Sequence, residues 1–222
     1  MTNHAADRQL RMLSTPRAAA VAGVLFALLF GAALVLIRTA LPEGAEAGAQ
    51  WIDDGGHRIK IASILMPFAG ITFLWFIGVV RDGFGGFEDK FFSSVFIGSG
   101  LLFLAMIFTT SAVGVALEHT SGDVATFGQI LLLTLSKTYA LRMAAVFMIS
   151  LATIWLKTAL MPRWLVGVTY VVAVGLLLSS DISVWLTLAF PVWVLVVSLL
   201  LLMRAGVIDF DRDDPVARKS LQ

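Results

Sequence analysis

The chain contains about six continuous apolar runs, each close to the length that a helix needs to cross a lipid bilayer. A hydrocarbon core ~30 Å thick takes roughly 20 helical residues, because each residue adds about 1.5 Å. The runs span residues 18–37, 61–80, 92–117, 135–156, 164–178 and 182–203. They are continuous, whereas the strands of a membrane barrel alternate polar and apolar residues. The sequence therefore predicts an all-α, polytopic bundle of about six transmembrane helices.

Composition supports the same class of protein. Hydrophobic residues make up 59% and charged residues 14% of the chain, against about 45–50% and about 25% in soluble domains. This difference excludes a soluble enzyme and a disordered chain. The formal net charge is +1, which gives no field to attract a polyanion, so a nucleic-acid partner is excluded as well.

Lysine and arginine set the predicted orientation, since these residues favour the cytoplasmic side. More than twice as many lie on the side of the N-terminus as on the opposite side. Both termini are therefore predicted to be cytoplasmic. On this scheme residues 1–17 form an N-terminal tail, 18–204 a single helical transmembrane domain, and 205–222 a C-terminal tail.

Residues 124–136 have the pattern of an amphipathic helix, with Phe127 and Leu131 on one side and Gln129 on the other. A continuous helix from there to Lys157 would be roughly 51 Å long, well over the thickness of the hydrocarbon core. Two arrangements are open. We favour a helix lying along the outer interface; the alternative is one long helix that projects above the membrane.

Arg142 is the most informative polar residue, because it lies inside the fourth apolar run. A charge at the centre of a membrane helix costs at least ~2.5–3.5 kcal/mol, so such residues face a partner or reach the interface. Glu118, Asp123 and Asp181 are its candidate partners. One interpretation is an anchor for an anionic head group or a gating ion pair. The other is a structural salt bridge or a side chain that snorkels outward.

Three further residues share this predicted ligand-binding region. Lys137 and Tyr139 flank it on the same run, and Asp181 precedes the sixth run. Lys137 also fits a snorkelling side chain, and Asp181 fits a helix N-cap. The region is thus Arg142, Tyr139, Lys137 and Asp181.

Two prolines are predicted to kink their helices, because each removes a backbone hydrogen bond. Pro67 lies in the second run and Pro191 in the sixth, and kinks there would open a shallow outward cavity. Small residues four apart in the first run, and a second such stripe in the third, predict close helix contacts. These contacts fit packing within one subunit or a homodimer seam. The two stripes are Ala19, Gly23, Ala27 and Gly31, and Ser94, Gly98, Ala105, Thr109, Ala112 and Ala116.

The sequence offers few residues suited to catalysis or metal binding. The chain has no cysteine, and His57 and His119 belong to different loops without metal-ligand spacing. The six apolar runs contain no aspartate, glutamate or histidine, which argues against intramembrane proteolysis and against a carboxylate proton relay. We therefore predict no metal, no cofactor and no enzymatic activity.

Three stretches carry a resemblance: Tyr139-Ala-Leu-Arg-Met-Ala-Ala-Val-Phe147, Met161-Pro-Arg-Trp-Leu165 and Phe190-Pro-Val-Trp-Val194. The chain resembles uncharacterised small multi-pass bacterial membrane proteins of actinobacterial type, mainly over its second half. The resemblance implies a bacterial plasma (inner) membrane and carries no function. It also implies that the shared pattern includes Arg142, Pro162, Arg163, Trp164, Pro191 and Trp193.

Two functions remain open at this point. The first is a non-enzymatic membrane accessory protein or amphiphile-binding bundle, whose partners are the lipid bilayer and a second copy or another membrane protein. The alternative is a transporter or channel subunit for a small solute or lipid, with an outward-facing cavity. Polar residues are concentrated toward the predicted outer half of the runs, which favours the first.

Overall fold

The computed structural model describes residues 3–40, 55–82, 90–178 and 184–204, and within these ranges it is helical, without β-strands. It includes a π-helical turn at Thr134–Tyr139 and a 3-10 turn at Val184–Leu188. The predicted all-helical fold is confirmed. The helices are α1 Asn3–Ala40, α2 Gly55–Asp82, α3 Lys90–Leu117, α4 Gly122–Leu133, α5 Ala140–Thr158, α6 Arg163–Leu178 and α7 Ala189–Arg204.

Within the described ranges, five helical segments are long and apolar enough to cross a membrane, so this is a multi-pass membrane protein. The fifth predicted span, residues 164–178, corresponds to α6, which has only 16 residues and is roughly 24 Å long. Helix α1 begins at Asn3, so helix continues into the segment predicted as a tail. The tail predicted at 205–222 lies outside the described residues. The five segments are Ala20–Ala40, Gly56–Asp82, Lys90–Leu117, Gly122–Thr158 and Leu186–Met203.

Sequential helices pack side by side. Helix α2 lies between α1 and α3, α5 lies between α3 and α6, and α7 packs against α1. Trp193 of α7 also reaches α6, where its Nε1–H donates to Thr169 Oγ1 at 2.9 Å. We use "distal end" for the end of the bundle where α1 finishes at Ala40 and α2 begins at Gly55. This is the end that the charge distribution predicts to face outward.

Helices α4 and α5 form one helical rod through the π turn, from Gly122 to Thr158, 37 residues long. The rod runs antiparallel to α3 along its length. Near the distal end, a Cβ on Gly128 would lie 2.6 Å from Leu117 Cδ2, and further along the pair a Cβ on Gly100 would lie 3.3 Å from Phe147 Cδ2. The favoured separate interfacial helix at 124–136 is therefore wrong, and the long helix is correct. Packing against α3 holds these residues in line with α5.

Five phenylalanines from five helices meet in the interior and form what we call the aromatic layer: Phe26, Phe73, Phe103, Phe147 and Phe190. Each is 0% exposed. The ring centroid of Phe73 lies 4.6 Å from that of Phe26, 5.0 Å from Phe103 and 5.2 Å from Phe147. Offset and edge-to-face rings at these distances attract one another beyond the effect of burial alone. The layer closes the centre of the bundle.

The small-residue stripe predicted on α3 faces outward, so of its two predicted roles packing within one subunit is wrong, and the homodimer seam stays a prediction. Ala105, Thr109 and Ala112 are exposed, whereas the buried face of α3 carries Phe96 and Phe103. The aromatic side chains fill more of the interior than alanine would, so they take the inner face. On α1 the prediction holds, because Gly23 and Ala27 are buried within the subunit.

Pro67 lies inside α2 without ending it. Its ring nitrogen carries no hydrogen, so the carbonyl of Ser63, four residues earlier, loses its usual helical donor. Ser111 of α3 replaces that donor, because its Oγ donates to Ser63 O at 2.7 Å. Gly114, one turn further along α3, allows the close approach, since a Cβ there would overlap the Ser63 hydroxyl. The unsatisfied group that proline creates is thus bonded by the neighbouring helix, as a bilayer interior requires.

Ser111→Ala should lower the free energy of unfolding by about 1–2 kcal/mol, because it leaves the Ser63 carbonyl buried without a donor. Pro67→Ala restores the helical donor to that carbonyl, so Ser111→Ala should cost much less in a Pro67→Ala background. The measurement is a double-mutant cycle by SDS titration in mixed micelles. Ser94→Ala is the control, since exposed Ser94 bonds only Lys90 O of its own helix. Equal costs of Ser111→Ala in both backgrounds would contradict the pairing.

Pro191 is the third residue of α7, directly after the 3-10 turn that ends at Leu188. Proline is well tolerated in the first turn of a helix, where the N–H groups have no α-helical acceptor. The departure from regular α-helix is therefore the change from 3-10 to α winding before Pro191, rather than a kink within a continuous α-helix.

Candidate binding site at the distal end

Three of the four residues predicted to bind a ligand come together on consecutive turns of one rod. Lys137 and Tyr139 lie in the π turn, and Arg142 lies in the first turn of α5. Arg142 and Tyr139 are exposed, and Lys137 is half-buried. We call these three residues the cationic face. The fourth predicted residue, Asp181, lies outside the described residues.

The π turn determines how these side chains are arranged. The backbone N–H of Ala140 donates to the carbonyl of Leu135, five residues back rather than four. The turn therefore holds one residue more than an α-helical turn, which brings Lys137 round toward the side of the helix that carries Arg142. Single π turns within α-helices are frequent at functional sites.

The described part of α6 ends short of Arg142. Arg142 and Thr153 share a face of α5, because the residues between them make about three turns. Helix α6 packs on this face, where Thr153 Oγ1 and Tyr170 Oη hydrogen bond at 2.7 Å. From Tyr170, α6 extends roughly 12 Å toward the distal end before it stops at Leu178, whereas Arg142 lies roughly 16 Å from Thr153 along α5. The guanidinium group is therefore attached just beyond the described end of α6.

Arg142 has no partner within the described part of the chain: neither a hydrogen bond nor an ion pair there involves it. Glu118, one of its predicted partners, pairs instead with Lys60, whose Nζ lies 3.1 Å from Glu118 Oε2. Asp123, the second, is exposed in the first turn of α4. The predicted pair between Arg142 and Glu118 is therefore wrong.

A cavity of about 450 Å³ lies at the distal end between α2 and α3. Its polar lining includes His57, Lys60, Glu118 and Thr120, and its apolar lining includes Leu117. This cavity lies about two helical turns from Pro67 along α2, and neither Pro67 nor Pro191 lines it. It is not lined by Arg142, Tyr139 or Lys137.

Sequence reasoning missed the ion pair at this cavity and a buried arginine at the same end of the bundle. Lys60 and Glu118 are 58 residues apart, and their only signal is that each lies at the end of an apolar run. Arg38 directly follows the first apolar run and is only 4% exposed. One residue later, the carbonyl of Thr39 accepts from Arg58 Nη1 at 3.3 Å.

Metal chemistry has no support in the described ranges, where no group of three or more histidine and carboxylate side chains could hold an ion. His57 lines the cavity, and His119 is exposed just after α3. When the chain is compared with protein-family models, curated proteins and solved structures, none of them matches it.

Proposed function

We propose that this membrane protein is a non-enzymatic accessory bundle that binds an amphiphile at its distal end. One observation carries the proposal: the aromatic layer fills the centre of the bundle, while the cationic face of the spanning rod lies on its distal side. A conducting pore needs a continuous polar lining, and five mutually packed phenylalanines interrupt any such path. A ligand that meets the cationic face therefore stays at that end.

The proposed membrane and the orientation of the termini rest on the sequence. We place the protein in a bacterial plasma (inner) membrane with both termini in the cytoplasm, on the resemblance and on the distribution of lysine and arginine. The absence of carboxylates and histidines from the apolar runs supports a role without catalysis. The partner, besides lipid, is a second copy or another membrane protein. The exposed stripe of Ala105, Thr109 and Ala112 supports this, because small residues allow close helix contacts.

A second function has one specific observation in its favour. The cavity between α2 and α3 is large enough, at about 450 Å³, for a small solute. Lys60 and Glu118 at its rim would then act as a charged gate for a transporter. This alternative requires a conformational change that separates the aromatic rings, since they block the path below the cavity.

Reconstituted vesicles distinguish the two functions. Vesicles that contain the protein should release an entrapped ion or small dye no faster than protein-free vesicles, because the aromatic layer blocks passage. Native mass spectrometry of the protein released from nanodiscs should show a bound amphiphile. Solute flux that Lys60→Met abolishes, with Lys90→Met as a control at the opposite end, would instead favour the transporter. A protein that leaves the nanodisc without any bound amphiphile would contradict the proposal.

A further inference from the structure

We infer that the cationic face binds the phosphodiester of an anionic phospholipid, which enters sideways from the surrounding bilayer. This inference rests on the proposed function and names its ligand class. It also assigns the binding to the outside of the α4–α5 rod, rather than to the cavity between α2 and α3. The head group would contact Arg142, Tyr139 and Lys137, and an acyl chain would lie along α6.

Arg142 lies at a depth where the rod is packed against α3. The rod pairs with α3, so Arg142 lies between two contacts, Leu132 beside Gly114 and Phe147 beside Gly100. Both contacts lie within spanning helices, and Arg142 is nonetheless exposed. An arginine on the outer surface of a spanning helix meets lipid rather than bulk water, and a charge in that position requires a counter-charge.

Arg142 lacks a counter-charge from the described part of the protein. Glu118, one of its predicted partners, is held by Lys60, and no described residue pairs with Arg142. A phosphodiester provides the missing anion. The planar guanidinium presents two parallel N–H donors that match two phosphate oxygens. The Tyr139 hydroxyl and the Lys137 ammonium supply further donors on either side.

The neighbouring surface of α6 supplies an apolar contact. Arg142 lies just beyond Leu178, the described end of α6, and the apolar side of α6 lies below it. Val171 and Leu178 are 74% and 72% exposed. They continue from Arg142 in the direction that an acyl chain takes from its head group. A free anion would use the cationic face but would gain nothing from this apolar strip.

The test is lipid selection by the purified protein in nanodiscs of equal phosphatidylglycerol and phosphatidylcholine. Native mass spectrometry should show phosphatidylglycerol retained in preference to phosphatidylcholine by the wild type. Arg142→Leu should reduce that preference about tenfold, as expected for the loss of a charge-assisted hydrogen bond. Arg163→Leu is the matched control, because Arg163 is an exposed arginine at the opposite end of α6, and it should leave the preference unchanged.

Two further variants, each a smaller change than Arg142→Leu, test the inference even if Arg142→Leu does not fold. Arg142→Lys retains the charge but loses the two parallel donors, so it should give an intermediate preference. Tyr139→Phe removes only one hydroxyl and should give a smaller loss. Thermal unfolding of each variant, measured in detergent without added lipid, establishes that the bundle is intact. An unchanged preference in folded Arg142→Lys and Tyr139→Phe, together with an unchanged Arg142→Leu, would overturn the inference.

The remaining outcomes distinguish a phospholipid from a soluble phosphate as the ligand. They also distinguish failure of this inference from failure of the proposed function. If millimolar glycerol phosphate displaces the lipid from the wild type, the face binds a soluble anion, and the lipid inference is overturned. If an amphiphile is retained but Arg142→Leu and Arg163→Leu behave alike, the inference fails while the proposed function stands. If the wild type retains no amphiphile at all, both fail.

Discussion

Replacing Phe73 with alanine should lower the free energy of unfolding by about 3–5 kcal/mol, the range for large aromatic truncations in a packed interior. Phe73 contacts all four other members of the aromatic layer. Its centroid lies 5.8 Å from that of Phe190 and 6.1 Å from that of its own-helix neighbour Phe76, in addition to the three closer rings. Four helices therefore lose a contact at once. SDS titration of the purified variant in mixed micelles measures the change.

Phe68→Ala is the control for this prediction. It removes the same side chain from the same helix, but Phe68 is 57% exposed and faces lipid. Lipid tails are as apolar as the side chains inside the bundle, so this phenylalanine gains little from its surroundings. We expect a change within about 0.5 kcal/mol, as for other exposed positions. If the two variants were equally stable, the phenylalanines would not form a packed layer, and the argument for a closed centre would fail.

The contrast between Phe73 and Phe68 shows why sequence reasoning reached the fold but not the core. Apolar runs of sufficient length predict spanning helices, because each must satisfy its backbone within the bilayer. Both faces of such a helix are apolar, however, so periodicity does not separate the inner face from the lipid face. The chain has 16 phenylalanines, and nothing in their spacing identified those that meet. For the same reason, the spacing of the α3 stripe did not show that it faces away from the other helices of the subunit.

The candidate site was predicted in part. The proximity of Arg142, Tyr139 and Lys137 follows from their spacing on one helix, so sequence alone brings them together. Their orientation does not, because the π turn changes the winding between Lys137 and Arg142, and no residue type marks such a turn. The exposure of Arg142 also depends on where α6 stops on the neighbouring face of α5, which is a property of tertiary packing. The ion pair between Lys60 and Glu118 also depends on tertiary packing, because the two residues are far apart in the sequence.

Gly23→Ala should be destabilising by about 1–3 kcal/mol, although alanine is the better helix former. A Cβ on Gly23 would overlap Ser198 Oγ of α7 and lie 2.9 Å from Phe76 Cδ2 of α2, so α1 would have to separate from two neighbours. Gly31→Ala, two turns later on the same helix, is the control. Its nearest neighbour would be Pro191 Cβ at 4.0 Å, an ordinary contact, so this variant should be neutral or slightly more stable.

Ser198→Ala should rescue Gly23→Ala, and this result would identify the overlap as the cause. The Ser198 hydroxyl is buried and has no hydrogen-bond partner among the described residues, so its removal alone should cost little. In the double variant the added methyl group would occupy the space that the hydroxyl leaves. We therefore expect most of the loss to be recovered in thermal unfolding measurements. A double variant no more stable than Gly23→Ala would show that α1 does not meet α7 at this point. The small residues of α1 would then be available for a homodimer seam, because the contact that now covers Gly23 would be absent.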